Sequence, residues 1–209
     1  MYRKCLLLFV FFHLAAWGMS QTSRALIVAI EAYPEGSGWS KIHATNDLRL
    51  VVPLLTDKGY PTENIVVLTN ENATKSSVVR QLEALARYTG RGDHVYIHFS
   101  CHGQQMIDDN GDEPDGLDEA LVLYDARRRF EAGRYEGENH LRDDEFGKYL
   151  DRIRLRAGPQ GQVVVVLDAC HSGTADRETR ERYVRGTTYI FAPENAEIPD
   201  PIRRKYNTP

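Results

Sequence analysis

The sequence predicts an α/β domain with a mainly parallel central sheet, and three observations carry that expectation. Short apolar runs rich in branched residues recur along the chain, at 24–30, 65–68, 94–100 and 163–167. Segments with helical apolar spacing fall between them. The runs also lack the polar alternation of a sheet wetted on one face, so both faces should be covered by helices. A length of 209 residues allows one domain with a real core, and a formal net charge of −4 without a clustered basic face excludes nucleic acid as a partner.

The first twenty residues stand apart. Arg3 and Lys4 precede 13 apolar-dominated residues from Cys5 to Trp17, and small Gly18 and Ser20 sit before a cut site ahead of Gln21. This is the pattern of a secretory signal peptide over 1–20, too short for the ~20 residues that span a bilayer. The expectation is an exported protein, periplasmic or secreted, with no stable membrane insertion after cleavage. Removing the leader leaves Cys101 and Cys170 as the only cysteines, each beside a histidine. An exported disulfide scaffold would carry more, so the pair points to reactivity.

The first strand, RALIVAI at 24–30, leads through a Gly/Ser/Pro-rich loop to a helix that Asn46 or Asp47 caps, with Pro53 inside it. A second strand covers 65–68. Thr74 or Ser76 then caps a helix whose Val78, Val79, Leu82, Leu85 and Ala86 share one face. The third strand is HVYIHFS at 94–100. Asp143 and Asp144 open another helix, where acids suit the N-terminal dipole and Phe146, Leu150 and Ile153 repeat at helical intervals. VVVVL at 163–167 is the fourth strand. Beyond Gly173 the pattern weakens: 187–191 reads as one more candidate strand, and 193–209 is a proline-rich tail.

In a parallel sheet the ligand crevice lies at the carboxyl ends of the strands, where both SCHG and DACHSG fall. Cys170, among small Ala169, Ser172 and Gly173, sits where a nucleophile is exposed and backbone amides approach a carbonyl. His102 holds the corresponding place after the third strand, so the two side chains meet if the strands are neighbours. His171 is adjacent to Cys170 and therefore faces the other way. A zinc site from Cys101, His102, Cys170 and His171 has suitable ligand types, but successive residues on strands do not converge on one ion.

HFSCHGQQ and VVLDACHSG, with NDL at 46–48, GDEPDGLDEAL at 111–121 and RDDEF at 142–146, resemble in content and order the motifs of metacaspases and related bacterial caspase-like peptidases. The resemblance implies a caspase-like three-layer sandwich over 21–192 and a Cys–His dyad that hydrolyses peptide or protein substrates after arginine or lysine through a thioester. Carried over by position, Cys170 is the nucleophile, His102 the general base and acid, and the Gly103 and Cys170 amides the oxyanion hole. Asp168, Asp47 and Ser100 match the pocket for the basic side chain, where paired carboxylates receive a guanidinium bidentately. Asp47 serves equally as a helix cap.

Seven carboxylates crowd DDNGDEPDGLDE at 108–119 without a base, so the stretch is either solvated or neutralised by a cation. It is no EF-hand, because Glu113 replaces the turn glycine. The resemblance implies no cofactor for the chemistry but a calcium site, as activator, at Asp118, Asp143, Asp144 and Asp176. Helix capping explains Asp143 and Asp144 equally well.

Cys101 stands where the family has glycine, either packed as a small hydrophobe or poised for a disulfide with Cys170. The family's sheet also gains strands after the nucleophile, for which little chain remains here. The sequence is therefore truncated, or a partner chain completes the sheet, or the sheet stays short. Arg177, Arg180, Arg182 and Arg185 lie where the family processes itself, and suit a solvated charged face as well. The rival function is a catalytically silent interaction or regulatory module.

Overall fold

A computed structural model of the chain describes residues 21–170 and 185–196. The leader, His171, Asp176, the run from Arg177 to Arg182 and most of the tail lie outside the described residues.

The four expected strands form one parallel sheet: β1 (Ser23–Ala29), β2 (Ile65–Thr69), β3 (His94–Ser100) and β7 (Gln162–Asp168), in the order β2-β1-β3-β7. Alternation along each strand sends side chains to two buried faces. Leu26, Val28, Val95, Ile97 and Phe99 pack against α2 (Lys75–Tyr88) and α3 (Asp143–Ala157) through Val78, Leu82, Phe146 and Ile153. Ala25 and Ile27 point to the other face, which α1 (Leu48–Asp57) covers with Leu48, Val51 and Leu55. Helices on both faces remove most of the inner strands β1 and β3 from water, while β2 and β7 stay half-buried, with Val67 and Leu167 exposed.

Local signals place the helices. The Thr74 hydroxyl accepts from the Ser77 N–H and caps α2. Three acids fill the first turn of α3, and Arg154 and Arg156 its last, matching the helix dipole at both ends. Asp47 occupies the cap position of α1 yet makes no capping bond. Its carboxylate instead accepts from the Ser100 hydroxyl, so the side chain does not cap the helix.

The sequence expectation of a single parallel sheet is incomplete. A second, antiparallel sheet of β4 (His102–Ile107), β5 (Leu117–Val122) and β6 (His140–Arg142) follows β3 directly. The acidic stretch is correspondingly shorter than expected, because Leu117, Asp118 and Glu119 belong to β5. No strand forms over 187–191. Gly186 and Phe191 instead make single bridges to Gly103 and Met106 of β4, and Phe191 is buried against Met106 and Tyr135.

Candidate active site

Two strand ends build the site. β3 and β7 are parallel neighbours with Ser100 opposite Asp168, so His102 and Cys170 each follow two residues beyond that pair. On β3, Tyr96, His98 and Ser100 share the α1 face, and the register sets Val166 and Asp168 beside them on β7. Asp47, at the start of α1, closes this side. The Ser100 hydroxyl donates to Asp47 Oδ2 at 2.6 Å, and the buried His98 places Nε2 3.8 Å from the same oxygen.

Arg185 fills the pocket so formed. Its guanidinium donates to Ser100 Oγ, lies 3.0 Å from Asp168 Oδ2 through Nη1 and 3.6 Å from Asp47 Oδ2 through Nη2. Burial raises the Asp168 carboxyl above its ordinary range, Arg185 opposes the rise, and the neighbouring Asp47 adds to it. The arginine's own carbonyl oxygen accepts from the Gly103 N–H and from the Cys170 N–H, at 3.0 Å each. The residue after it has no room for a side chain, since a Cβ on Gly186 would lie 1.8 Å from the Cys170 carbonyl oxygen.

His102 is buried and Cys170 exposed. The imidazole stacks on Trp39, with ring centroids 4.9 Å apart, and meets Tyr33 at 5.3 Å. Nε2 lies 2.8 Å from the Ser40 carbonyl oxygen. A carbonyl only accepts, so Nε2 carries the proton and Nδ1 has the free lone pair. Nδ1 is buried with no hydrogen-bond partner among the described residues. Burial holds the imidazole below its usual pKa, the Ser40 carbonyl works the other way, and the charges of Arg128 and Arg185 lower it further. The site therefore contains a neutral imidazole with an open acceptor, a thiol, and two amides converging on one carbonyl oxygen.

Cys101 lies in the core beside the α2 and α3 layer, and burial pushes its thiol up to about 12. Both cysteines are free. Packing as a small hydrophobe is thus what the fold makes of Cys101, and not a bond to Cys170.

The acids sort differently from the expected metal set. Among the described residues, the carboxylates close enough to share an ion are Asp108, Asp109 and Asp118. Asp143 and Asp144 instead open α3, where the Asp143 carboxylate accepts the Asp144 N–H and Asp144 receives Asn110. The base missing from the acidic stretch comes from β6: Arg142 pairs with Asp118 and lies 3.5 Å from Asp109. Asp108 accepts three backbone N–H groups, from Asn110, Gly111 and Glu113, and these bonds lower its pKa. The donors suit a hard cation such as calcium in type, but an ion there competes with Arg142.

A parallel sheet covered on both faces, with a thiol and an imidazole at adjacent strand ends, defines a caspase-like α/β protein. Residues 23–177 match the metacaspase, peptidase C14 domain, and the chain belongs to that family of cysteine-type peptidases. It is 30% identical over 164 residues to Metacaspase-1 of Mycosarcoma maydis, covering 75% of this chain and 37% of that one. Metacaspase-3 of Arabidopsis thaliana is 32% identical over 147 residues, covering 67% and 37% of the two chains. A crystal structure of a Geobacter sulfurreducens protein superposes with a TM-score of 0.57 at 28% identity, covering 73% of this chain and 52% of that one. The chain thus spans little more than a third of the length of these curated relatives.

Sequence reasoning brought His102, Cys170, Gly103, Asp47, Ser100 and Asp168 to one place, and the structure gathers them. It missed the Ser40 carbonyl and the Trp39 and Tyr33 rings, which reach His102 from a loop without periodicity. Of the four arginines it singled out, it had no means to choose Arg185. His98 was within reach, because alternation puts it on the face of Ser100.

Proposed function

We propose that this chain is a cysteine endopeptidase that hydrolyses peptide bonds after arginine or lysine. The observation that carries the reading is Arg185, whose side chain meets Asp47, Ser100 and Asp168 while its carbonyl oxygen accepts from Gly103 and Cys170. This is the posture of a substrate residue before attack. Two carboxylates and a hydroxyl suit a planar guanidinium best, and the compact ammonium of lysine next.

The chemistry follows from the same atoms. Cys170 Sγ adds to the carbonyl carbon while its proton passes to His102 Nδ1, and the two amides hold the developing oxyanion. His102 returns the proton to the leaving nitrogen, the C–N bond breaks, and a thioester remains. Water, deprotonated by His102, then releases the carboxylate and regenerates the thiol. Calcium acts on this reading as an activator at the acidic stretch, outside the chemistry. The leader exports the protein, and the mature chain begins at Gln21.

The test is turnover of Arg- and Lys-terminated fluorogenic peptides by the full chain, beside Cys170→Ala and with or without a strong chelator. Basic peptides should be cut and an Asp-terminated one not, with Cys170→Ala reducing turnover by at least about a thousandfold. The wild-type chain should also yield a fragment beginning at Gly186 by mass spectrometry. Cleavage indifferent to the charge of the terminal residue removes the pocket assignment, and no cleavage under any condition removes the peptidase. Turnover unchanged by the chelator removes calcium.

A further inference from the structure

We infer that His98 is a fourth member of the side-chain pocket and holds the proton that an entering guanidinium displaces. The inference rests on the basic-pocket reading above and deepens it, since it makes capture of the basic residue a cation-for-proton exchange.

Two basic groups converge on one oxygen. His98 Nε2 lies 3.8 Å from Asp47 Oδ2, and Arg185 Nη2 lies 3.6 Å from the same atom. Nε2 is buried and has no hydrogen-bond partner among the described residues, while Nδ1 faces the Tyr96 hydroxyl at 3.3 Å. A buried ring nitrogen left without a partner is costly, and it lies nearest Asp47, one of the two carboxylates that the arginine also uses.

Among the described residues, the charges that act on the ring all belong to the pocket. Asp47 comes from the start of α1, Asp168 from β7, Arg185 from the segment that enters the pocket, and Tyr96 and Ser100 from β3 itself. Ile27 of β1 and Val166 of β7 flank His98 in the sheet and are apolar. With Arg185 in place, burial keeps the imidazole below its ordinary pKa and the guanidinium lowers it further, against the pull of Asp47 and Asp168.

Withdrawing the arginine removes that repulsion and leaves two neighbouring carboxylates without a counter-charge. His98 then takes up a proton and turns Nε2–H toward Asp47. Empty or loaded, the pocket keeps one net negative charge. By linkage, the loaded pocket binds fewer protons than the empty one, so affinity for a basic side chain falls as pH drops through the empty-pocket pKa of His98. Discrimination between basic and neutral side chains narrows over the same window.

Titration calorimetry with n-butylguanidinium tests this on the full chain carrying Cys170→Ala and Arg185→Ala, which prevents self-cleavage and empties the pocket. Binding near pH 6, measured in two buffers of different ionisation enthalpy, should release roughly half a proton or more per guanidinium. Adding His98→Gln should remove most of that release and flatten the fall of affinity with pH, because no proton then competes for Asp47. Release unchanged by His98→Gln overturns the inference and assigns the proton to the Asp47–Asp168 pair. Binding without release overturns it as well. No binding at any pH overturns the basic-pocket reading on which it rests. If His98→Gln does not fold, the imidazole resonances of the parent decide: the His98 pKa should fall by about one unit or more on saturation, and an unmoved pKa refutes the exchange.

Discussion

His102 can act as a base only if one ring nitrogen stays open, and its backbone surroundings decide which. The Ser40 carbonyl takes the Nε2 proton, and Trp39 and Tyr33 hold the ring in plane. Burial then keeps the imidazole neutral to lower pH than an ordinary histidine. Activity that needs the neutral base is lost as pH falls through this lowered pKa, so the acid limb of kcat should lie below the usual value of about 6.5. Trp39→Ala lets water reach the ring, which raises its pKa. The limb should move up towards about 6.5 and kcat should fall. A pH profile on a saturating Arg-terminated peptide reads both, and an unmoved limb shows that Trp39 does not shield the base.

At the scale of elements, the nucleophile is placed by the turn from α3 into β7. Gly158 ends the helix at φ 66°, and Gly161 lies against its last turn, where an added Cβ would be 2.6 Å from Ala157 Cβ and 2.7 Å from its carbonyl oxygen. Both contacts are close to backbone, so Gly161→Ala must move the strand that carries Asp168 and Cys170. The cost expected is about 1–3 kcal/mol, measurable as a lower urea midpoint, with turnover reduced beyond the loss of folded protein. A midpoint and turnover equal to wild type would show that the turn adjusts without disturbing β7. The antiparallel sheet has its own anchor. Buried His140 bonds the Tyr135 hydroxyl and Gln104 Oε1, and Gln104 Nε2 in turn donates to the carbonyls of Arg128 and Tyr189.

At the scale of the molecule, the segment after Arg185 is held to the folded body. Phe191 exchanges backbone bonds with Gln105 and Ile107, Arg128 donates to the Thr187 hydroxyl at 2.8 Å, and the Phe191 ring is buried. A cut between Arg185 and Gly186 should therefore leave two pieces that stay together. Gel filtration in native buffer should show one species, separating only in denaturant. Separation in native buffer would mean that these contacts need the covalent link.

The parallel sheet was legible because its strands are apolar runs without polar alternation; the inner β1 and β3 are mostly buried on both faces, while Val163–Leu167 of β7 is half-buried, with Leu167 exposed. The pair at its strand ends was legible for a related reason, because parallel strands end together and SCHG and DACHSG each follow one. The second sheet was not, since β4 carries polar residues at three of its six positions, β5 at two of six, and β6 has only three residues. Their pairing is fixed by long-range contacts, with Met106 and Val122 packing around Phe191. Asp47 shows the limit most sharply, because an acid before a helix reads equally as a cap or as a pocket wall. Only the fold shows that its carboxylate bonds Ser100, at 2.6 Å and 53 positions away along the chain, and does not cap the helix. The sequence by itself determined which strands form the parallel sheet and that the candidate residues lie at their ends, because burial and alternation are local rules. The tertiary structure decided which arginine enters the pocket, which nitrogen of His102 is open and which cation answers the acidic stretch. Each of these depends on groups that meet only after the chain has folded.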